Sequence, residues 1–304
     1  MDLLDTLRFV TRHPLNANHK GAAVGRFVRW QLGSRLVPGA VLVPFVNGSR
    51  LLVSRGMRGA TGNVYCGLHE FEDMALALHS LRSGDVFVDV GANIGAYSVL
   101  AATSGADVLA FEPIPDTYHH LMDNVRQNAF EELIDARNCG VGSSLGTLHF
   151  TSTLDTVNHV VSSEESSDDT ISVPVTSLDE ALAGREPTLL KIDTEGFETE
   201  VIAGAEQALE SATLLAVIME ANGSGNRYGF DEAALHEQML QAGFRCYRYA
   251  PFERELIAVE GDGLASIDGL GEKEAINMLY VRDAERLASR LRDAAPFRVL
   301  NHRI

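Results

Sequence analysis

Val86-Phe-Val-Asp89-Val-Gly91-Ala-Asn93-Ile-Gly95, with Phe111-Glu112-Pro113 downstream, is the stretch from which the rest of the chain is read. Val86–Val90 is an apolar strand interrupted only by Asp89, and it runs into a loop of small residues. Helical spacing follows over Ala96–Ala102, and a second strand, Val108–Phe111, ends on a carboxylate. Strand, glycine loop, helix and strand-end acid form a unit that holds a nucleoside, with Glu112 placed to accept hydrogen bonds from ribose hydroxyls. Two details separate it from a dinucleotide site. Asn93 stands where a glycine would let the backbone touch a pyrophosphate, and Asp89 sets a negative charge beside the loop. A carboxylate there repels phosphate and favours an ammonium, such as that of a methionine moiety.

Working outward, strand and helix patterns alternate. A polar helix is expected over Asp116–Asn128 and a third strand over Ile134–Cys139. Leu189–Ile192 and Leu214–Met219 read as further buried strands, with a helix over Glu200–Leu209 between them. Strands this apolar, alternating with helices, predict an α/β fold with a parallel sheet covered on both faces. Near the end, Asp231 starts a helix that Gly243 stops, and two strands, Phe244–Tyr249 and Asn277–Arg282, close the sheet. Before the sheet, Leu3, Leu4, Leu7 and Val10 share a helical face, as do Val24, Phe27 and Val28. Val41–Val46, Asn47-Gly48 and Arg50–Ser54 predict a β-hairpin, because Asn-Gly supplies the positive φ angles of a two-residue turn. Residues 70–82 return to helical spacing. Ser152–Thr170, flanked by strands at Thr147–Thr151 and Ile171–Val175, and Pro251–Glu274 read as long loops. The division expected is an N-terminal helical and hairpin extension, 1–68, followed by a main domain, 69–304.

Composition narrows the function. The chain has 304 residues and a net charge of −17. Residues 1–58 hold nine Lys/Arg and two Asp/Glu, a balance of +7, and the remainder holds sixteen and forty, a balance of −24. An acidic body disfavours a nucleic-acid substrate. The basic start is read as lying against that body or against a second subunit, so a homo-oligomer is possible. No run has the length of a membrane span. Residues 1–10 carry Asp2 and Asp5 and lack a basic start followed by an apolar core, and Cys66, Cys139 and Cys246 are odd in number and widely spaced. A cytoplasmic location is the expectation, without membrane partners.

A second constellation is Leu190-Lys-Ile-Asp193-Thr-Glu195-Gly196-Phe-Glu198. Asp193 ends the fourth strand of the sheet, and Glu220 with Asn222 ends the fifth, so these groups share the rim where open α/β sheets bind ligands. Carboxylates converging on one edge are costly to desolvate unless they bind something cationic, hydroxylic or metallic. The oxygen donors of Asp193, Glu195, Glu220 and Asn222 would suit Mg²⁺ or Ca²⁺, although substrate hydroxyls are the favoured occupants.

These motifs, together with Gly84-Asp85, Ser177-Leu-Asp179 and Asn277-Met-Leu-Tyr280, resemble the FkbM-type methyltransferase family over about residues 65–282. The resemblance implies a Rossmann-like, seven-stranded class I methyltransferase sheet that uses S-adenosylmethionine. It also implies O-methylation of a small-molecule acceptor, a sugar, glycoside or other natural product, with N-methylation of an amine or peptide amide as the alternative. A non-catalytic cofactor-binding module is the reading from another class. His69-Glu70 departs from the family, in which an aromatic residue tends to precede the glutamate. The expected cofactor residues are Asp89, Gly91, Asn93, Gly95, Glu112, Pro113 and Asn138. Glu70, Glu195 and Asn222 are expected at the acceptor. Asp193 or Glu220 is expected to orient or deprotonate it, with His159 of the polar loop as a second candidate base.

Overall fold

The computed structural model describes residues 3–37, 39–151, 159–161, 170–259 and 276–304. The chain opens with helices α1 (Leu3–Arg12) and α2 (Lys20–Leu36), a hairpin of β1 (Val41–Pro44) and β2 (Arg50–Val53), and helices α3 (Arg58–Cys66) and α4 (Phe71–Ser80). The strand–loop–helix unit follows as β3 (Val86–Val90), α5 (Ala96–Thr103), β4 (Asp107–Phe111), α6 (Pro115–Gln127) and β5 (Ile134–Arg137). Next come β6 (Gly140–Val141), β7 (Gly146–Thr151), β8 (Thr170–Thr176) and α7 (Leu178–Leu182). The second half continues with β9 (Leu189–Ile192), α8 (Glu198–Ala203), α9 (Glu206–Glu210), β10 (Ala216–Ala221) and α10 (Glu232–Gln241). Strands β11 (Arg245–Ala250), β12 (Glu255–Ala258) and β13 (Ile276–Val281), helix α11 (Ala284–Arg292) and a short pair, β14 (Arg298–Val299) and β15 (His302–Arg303), finish it.

The central sheet has the order β12-β11-β13-β10-β9-β3-β4-β5. From β10 to β5 every pairing is parallel, whereas β13 runs antiparallel to both β10 and β11. The sequence predicts seven strands; the eighth, β12, lies in a stretch read as loop and pairs antiparallel with β11 at the sheet's edge. Its alternation over four residues is too brief to stand out from a polar connection. Of that stretch, 260–274 lie outside the described residues, as do 152–158 and 162–169 of the other expected loop.

Both faces of the sheet are buried, and period-two alternation sorts the strand residues between them. Phe87, Val108, Ala110, Leu189 and Ile218 join one apolar core, and Val88, Val90, Leu109, Leu190, Ile192 and Val217 join the other. That is why the strands read as continuous apolar runs. Asp89 and Lys191 interrupt this pattern. They are register partners across β3 and β9, and both fall on the face of Phe87 and Leu189.

The N-terminal elements pack into the first of these cores: Val10, Phe27, Trp30 and Leu51 share it with Leu76 and Phe87. The hairpin turns as expected, with Asn47 at φ 50° and Gly48 at φ 96° between Val46 and Ser49. Its open edge is closed by two amides, Asn124 of α6 and Asn128 just beyond that helix. Asn124 accepts from Leu52 N at 2.6 Å, and Asn128 accepts from Arg50 N and donates to Arg50 O, each at 2.8 Å. Asn124 also donates to Ile94 O at 2.9 Å, so one side chain joins the hairpin to the glycine loop.

The single helix expected over Glu200–Leu209 is two. Gly204 lies so close to another segment that a Cβ there would stand 2.1 Å from Gly142 O. Beyond it, Asp179 accepts from Gln207 N and Ala208 N, both at 2.9 Å, and starts α9 as a separate element. Ser177 caps α7 in the same way, accepting from Glu180 N. The Ser-Leu-Asp motif is therefore a pair of helix caps.

Candidate active site

The strand order reverses at β3 and β9: the chain leaves β3 toward β4 and β5, and later fills the other side through β9 and β10. The carboxyl ends of β3 and β9 frame the crevice in which open parallel sheets take ligands. A cavity of about 700 Å³ lies there. Gly91 is what lets the two strand ends meet. It has φ 78°, and a Cβ on it would stand 1.8 Å from Asp193 O. The loop is also tied to β4, since Gly91 N and Ala92 N both donate to Phe111 O.

Glu112 lines the cavity with each carboxylate oxygen holding one backbone N–H: Oε2 accepts from Asn93 N and Oε1 from Ile114 N, both at 2.9 Å. A carboxylate oxygen has a second lone pair, so Glu112 keeps one acceptor site per oxygen for a diol. Burial pushes it up to about 7 despite those two donors. Asn138 does not line the cavity; it donates to Glu112 O and Pro113 O and braces the turn that presents them. Gly91, Asn93 and Pro113 line it, and Gly95 does not: its φ of 82° brings it against Leu121 instead. Asp89 is also set back. Fully buried, it accepts from Ser98 Oγ at 2.6 Å, and its Oδ1 has no hydrogen-bond partner among the described residues. Its charge acts on the crevice through Lys191.

Lys191 carries the arrangement of the rim. Its Nζ donates to Asp193 Oδ2 at 2.8 Å and lies 4.9 Å from the centroid of the Tyr97 ring. Burial works against its charge, yet Asp193, Asp89 and Glu70 outweigh it and raise the lysine. Tyr97 in turn donates to Glu70 Oε2 at 2.6 Å, and burial among acids holds its hydroxyl well above the usual range. Below them Asp73 takes a hydrogen bond from Asn277 at 2.9 Å and is pushed up to about 7 by burial and by Glu70. The Asn277 motif thus serves to satisfy a buried acid.

Asp193, Glu195 and Glu220 converge, offering one oxygen each within 4.8 Å of one another. They differ in support. Asp193 has its lysine. Glu220 Oε2 is buried without a hydrogen-bond partner among the described residues, and burial with the neighbouring acids pushes Glu220 up to about 10. Glu195, at φ 55°, is pushed up to about 7 by burial and Asp193. Glu198 ties this loop down, accepting from Thr194 N, Thr194 Oγ1 and Gly196 N. Asn222 is turned to Ser224 N and does not line the cavity. His159 is buried beside β7, exchanging hydrogen bonds with Thr151; its neighbour Val160 reaches the cavity, and His159 does not.

Sequence reading left out Lys191, Tyr97 and the N-terminal wall. A lysine inside a strand as apolar as Leu189–Ile192 is itself a signal, because a buried cation requires a partner. Trp30, Arg55 and Tyr65 reach the cavity through long-range packing that no local pattern reports.

The acids bear on stability. Asp73, Glu112 and Glu195 are raised above their unfolded range, so the folded chain favours their protonated forms. Their contribution is complete below about pH 4 and is lost as pH climbs through about 7. The melting temperature should fall between pH 5.5 and 8, and less steeply in Glu112→Gln. A rise over that interval would contradict the assignment.

Five carboxylates, Glu70, Glu112, Asp193, Glu195 and Glu220, face one cavity that a dinucleotide's pyrophosphate would have to share. An acid-rich lining of this kind disfavours a pyrophosphate and suits a ligand bearing positive charge, as a methyltransferase's donor does. Residues 89–246 match the model of the Methyltransferase FkbM domain, just over half of the chain, and the chain belongs to that family. Hexuronic acid methyltransferase AglP of Haloferax volcanii is 35% identical over 157 residues, covering 50% of this chain and 63% of that protein. Methyltransferase sdnD of Sordaria araneosa is 39% identical over 83 residues, 27% of this chain and 32% of its own. The chain thus spans less than two thirds of the curated relatives that it matches. A solved methyltransferase FkbM from Methylobacillus flagellatus is 19% identical with a TM-score of 0.43, over 65% of this chain and 43% of that one.

Proposed function

We propose that the protein transfers a methyl group from S-adenosylmethionine to a hydroxyl of a sugar or related metabolite. The supporting observation is the division of labour among the rim acids. Asp193 carries a lysine partner, whereas Glu220 has no cation bonded to it among the described residues and is pushed up to about 10 by burial and its acid neighbours. When bound, the donor supplies a methyl on cationic sulfur; transfer forms an O–C bond as the S–C bond breaks and leaves a neutral thioether.

The chain's residues do the rest. Glu112 holds the ribose diol with its remaining lone pairs, and Gly91 and Asn93 shape the loop beneath the donor. Asp193 takes the proton of the acceptor hydroxyl, and Lys191 compensates its charge before that transfer. Glu220 donates a hydrogen bond to the acceptor oxygen and fixes its approach, while Glu195 closes the site. The name of the Haloferax relative, a hexuronic acid methyltransferase, supports a sugar acceptor. The same three acids also offer a hard-cation site, so turnover is to be measured with and without a chelator.

The test of the donor site is a titration with S-adenosylhomocysteine. Binding by the intact chain is expected, and Glu112→Ala should weaken it by about tenfold or more, the loss of a charge-assisted pair of hydrogen bonds. Undiminished binding in that variant would remove the ribose role.

A further inference from the structure

Helix α2 is apolar on two opposite sides. Ala23, Phe27 and Trp30 are buried in the core. At about 100° per residue, Leu32 stands roughly 160–180° around the helix from Trp30 and Ala23, with Val28 and Leu36 about 40° to either side of it. Val28, Leu32 and Leu36 are 45%, 59% and 81% exposed, so this second apolar row faces solvent. Arg29 and Arg35, both exposed, flank it at about 60° on either side. The helix contains no acid. Lys20, Arg29 and Arg35 make no ion pair among the described residues, so the basic start rests on the body by its apolar side and keeps these charges outward. Eight of the eleven large apolar side chains exposed among the described residues lie within residues 3–42, which makes the feature local to this segment.

A helix that is apolar all round is one that something covers on each side. A second copy docked through the same face would set Arg29 and Arg35 against their own duplicates. The acidic body of a second copy would match the arginines, but among its described residues it exposes only Leu145, Phe252 and Ile257 as large apolar groups. An anionic bilayer supplies both halves, an apolar boundary for the leucines and phosphates for the guanidinium groups. The acidic body is repelled by such a surface, which turns the molecule with α2 foremost, and salt screens that repulsion beyond about 8–10 Å.

We propose that α2 seats the protein on an anionic membrane surface, lying flat with Val28, Leu32 and Leu36 at the headgroup boundary and Arg29 and Arg35 on lipid phosphates. Among the described residues no helix is long and apolar enough to cross a bilayer, and a helix lying in the surface needs no such length. Trp30, Gln31 and Ser34 line the cavity from the other side of the same helix. A seated molecule therefore holds that wall of the cavity about one helix diameter, 10–12 Å, from the headgroups. Membrane seating goes beyond the methyl-transfer reading and stands or falls separately from it.

Sedimentation of the full chain with sucrose-loaded vesicles tests this, using phosphatidylcholine alone and phosphatidylcholine with about one third phosphatidylglycerol. The chain should sediment with the anionic vesicles and not with the neutral ones, and should be released as salt rises from about 0.1 to 0.5 M. Replacing both arginines, Arg29→Gln with Arg35→Gln, should weaken binding roughly thirtyfold, the yield of two charges at the surface. Leu32→Gln with Leu36→Gln should weaken it about tenfold or more, and Leu145→Gln, an exposed leucine of the body, should leave it unchanged. All these side chains are exposed and none lines the cavity, so melting curves and S-adenosylhomocysteine affinity should match those of the parent. No sedimentation with anionic vesicles, equal sedimentation with neutral ones, or undiminished binding in either double variant would each overturn the proposal. A dimer that dissociates on Leu32→Gln with Leu36→Gln, without vesicle binding by the parent, would overturn it too and give the row to a second copy.

Discussion

Asp193→Asn should lower kcat by ~10²–10⁴-fold, the usual contribution of a general base, and leave S-adenosylhomocysteine affinity within about twofold. Asparagine keeps the size of the side chain and an oxygen for Lys191, 2.8 Å away, but it cannot accept the hydroxyl proton. The donor contacts proposed for Glu112, Asn93 and the loop are untouched. A fall in kcat without a comparable fall in donor affinity is what separates a base from a scaffold residue. A loss in kcat smaller than tenfold, or a parallel loss of donor binding, would remove the assignment.

Gly91→Ala is the other large effect, and it acts on the fold and the site together. The new Cβ would meet the Asp193 carbonyl at 1.8 Å, so backbone must move by on the order of 1 Å where β3 and β9 abut. The residue also sits at φ 78°, which costs a side chain ~1–2 kcal/mol. Overpacking and strain together come to about 2–5 kcal/mol, a drop in melting temperature of roughly 5–15 °C for a chain of this size. Donor affinity should fall with it, since the displaced carbonyl belongs to the residue that leads the rim. Gly84→Ala is the control: it has a similar φ of 87° and no atom within 4 Å of the added Cβ. Equal destabilisation by the two substitutions would show that the contact with Asp193 O carries no weight.

The strands were legible because burial on both faces wrote them as apolar runs, and the hairpin because Asn47-Gly48 leaves few alternatives. Helix breaks and edge strands were not. Gly204 inside a helical pattern reads as a tolerated defect until Gly142 is seen packed on it, and β12 has no apolar face to announce it. Of the rim, the acids themselves were visible; their inequality was not. Lys191 and Asp193 stand two residues apart, a spacing that puts both on one side of the strand end, so that pair was within reach of the sequence; that Glu220 arrives among acids depends on register across β9 and β10, which spacing along the chain does not report. Asp89 shows the reverse case. Read as a group facing the ligand, it lies on the strand face turned to α5 and Ser98, where period-two geometry puts it with Phe87.

Asn124 grips the peptide of Ile94 with one end of its amide and that of Leu52 with the other. A rigid pin of this kind fixes the spacing between the half of the cleft that would cradle the nucleoside and the segment from which Arg55 emerges. Anyone exchanging the first sixty residues for those of another enzyme, in order to change which molecule is modified, would have to graft an extended backbone that reaches the same amide. Without it, α6 would be left with unsatisfied polar atoms, and both halves of the cleft would drift.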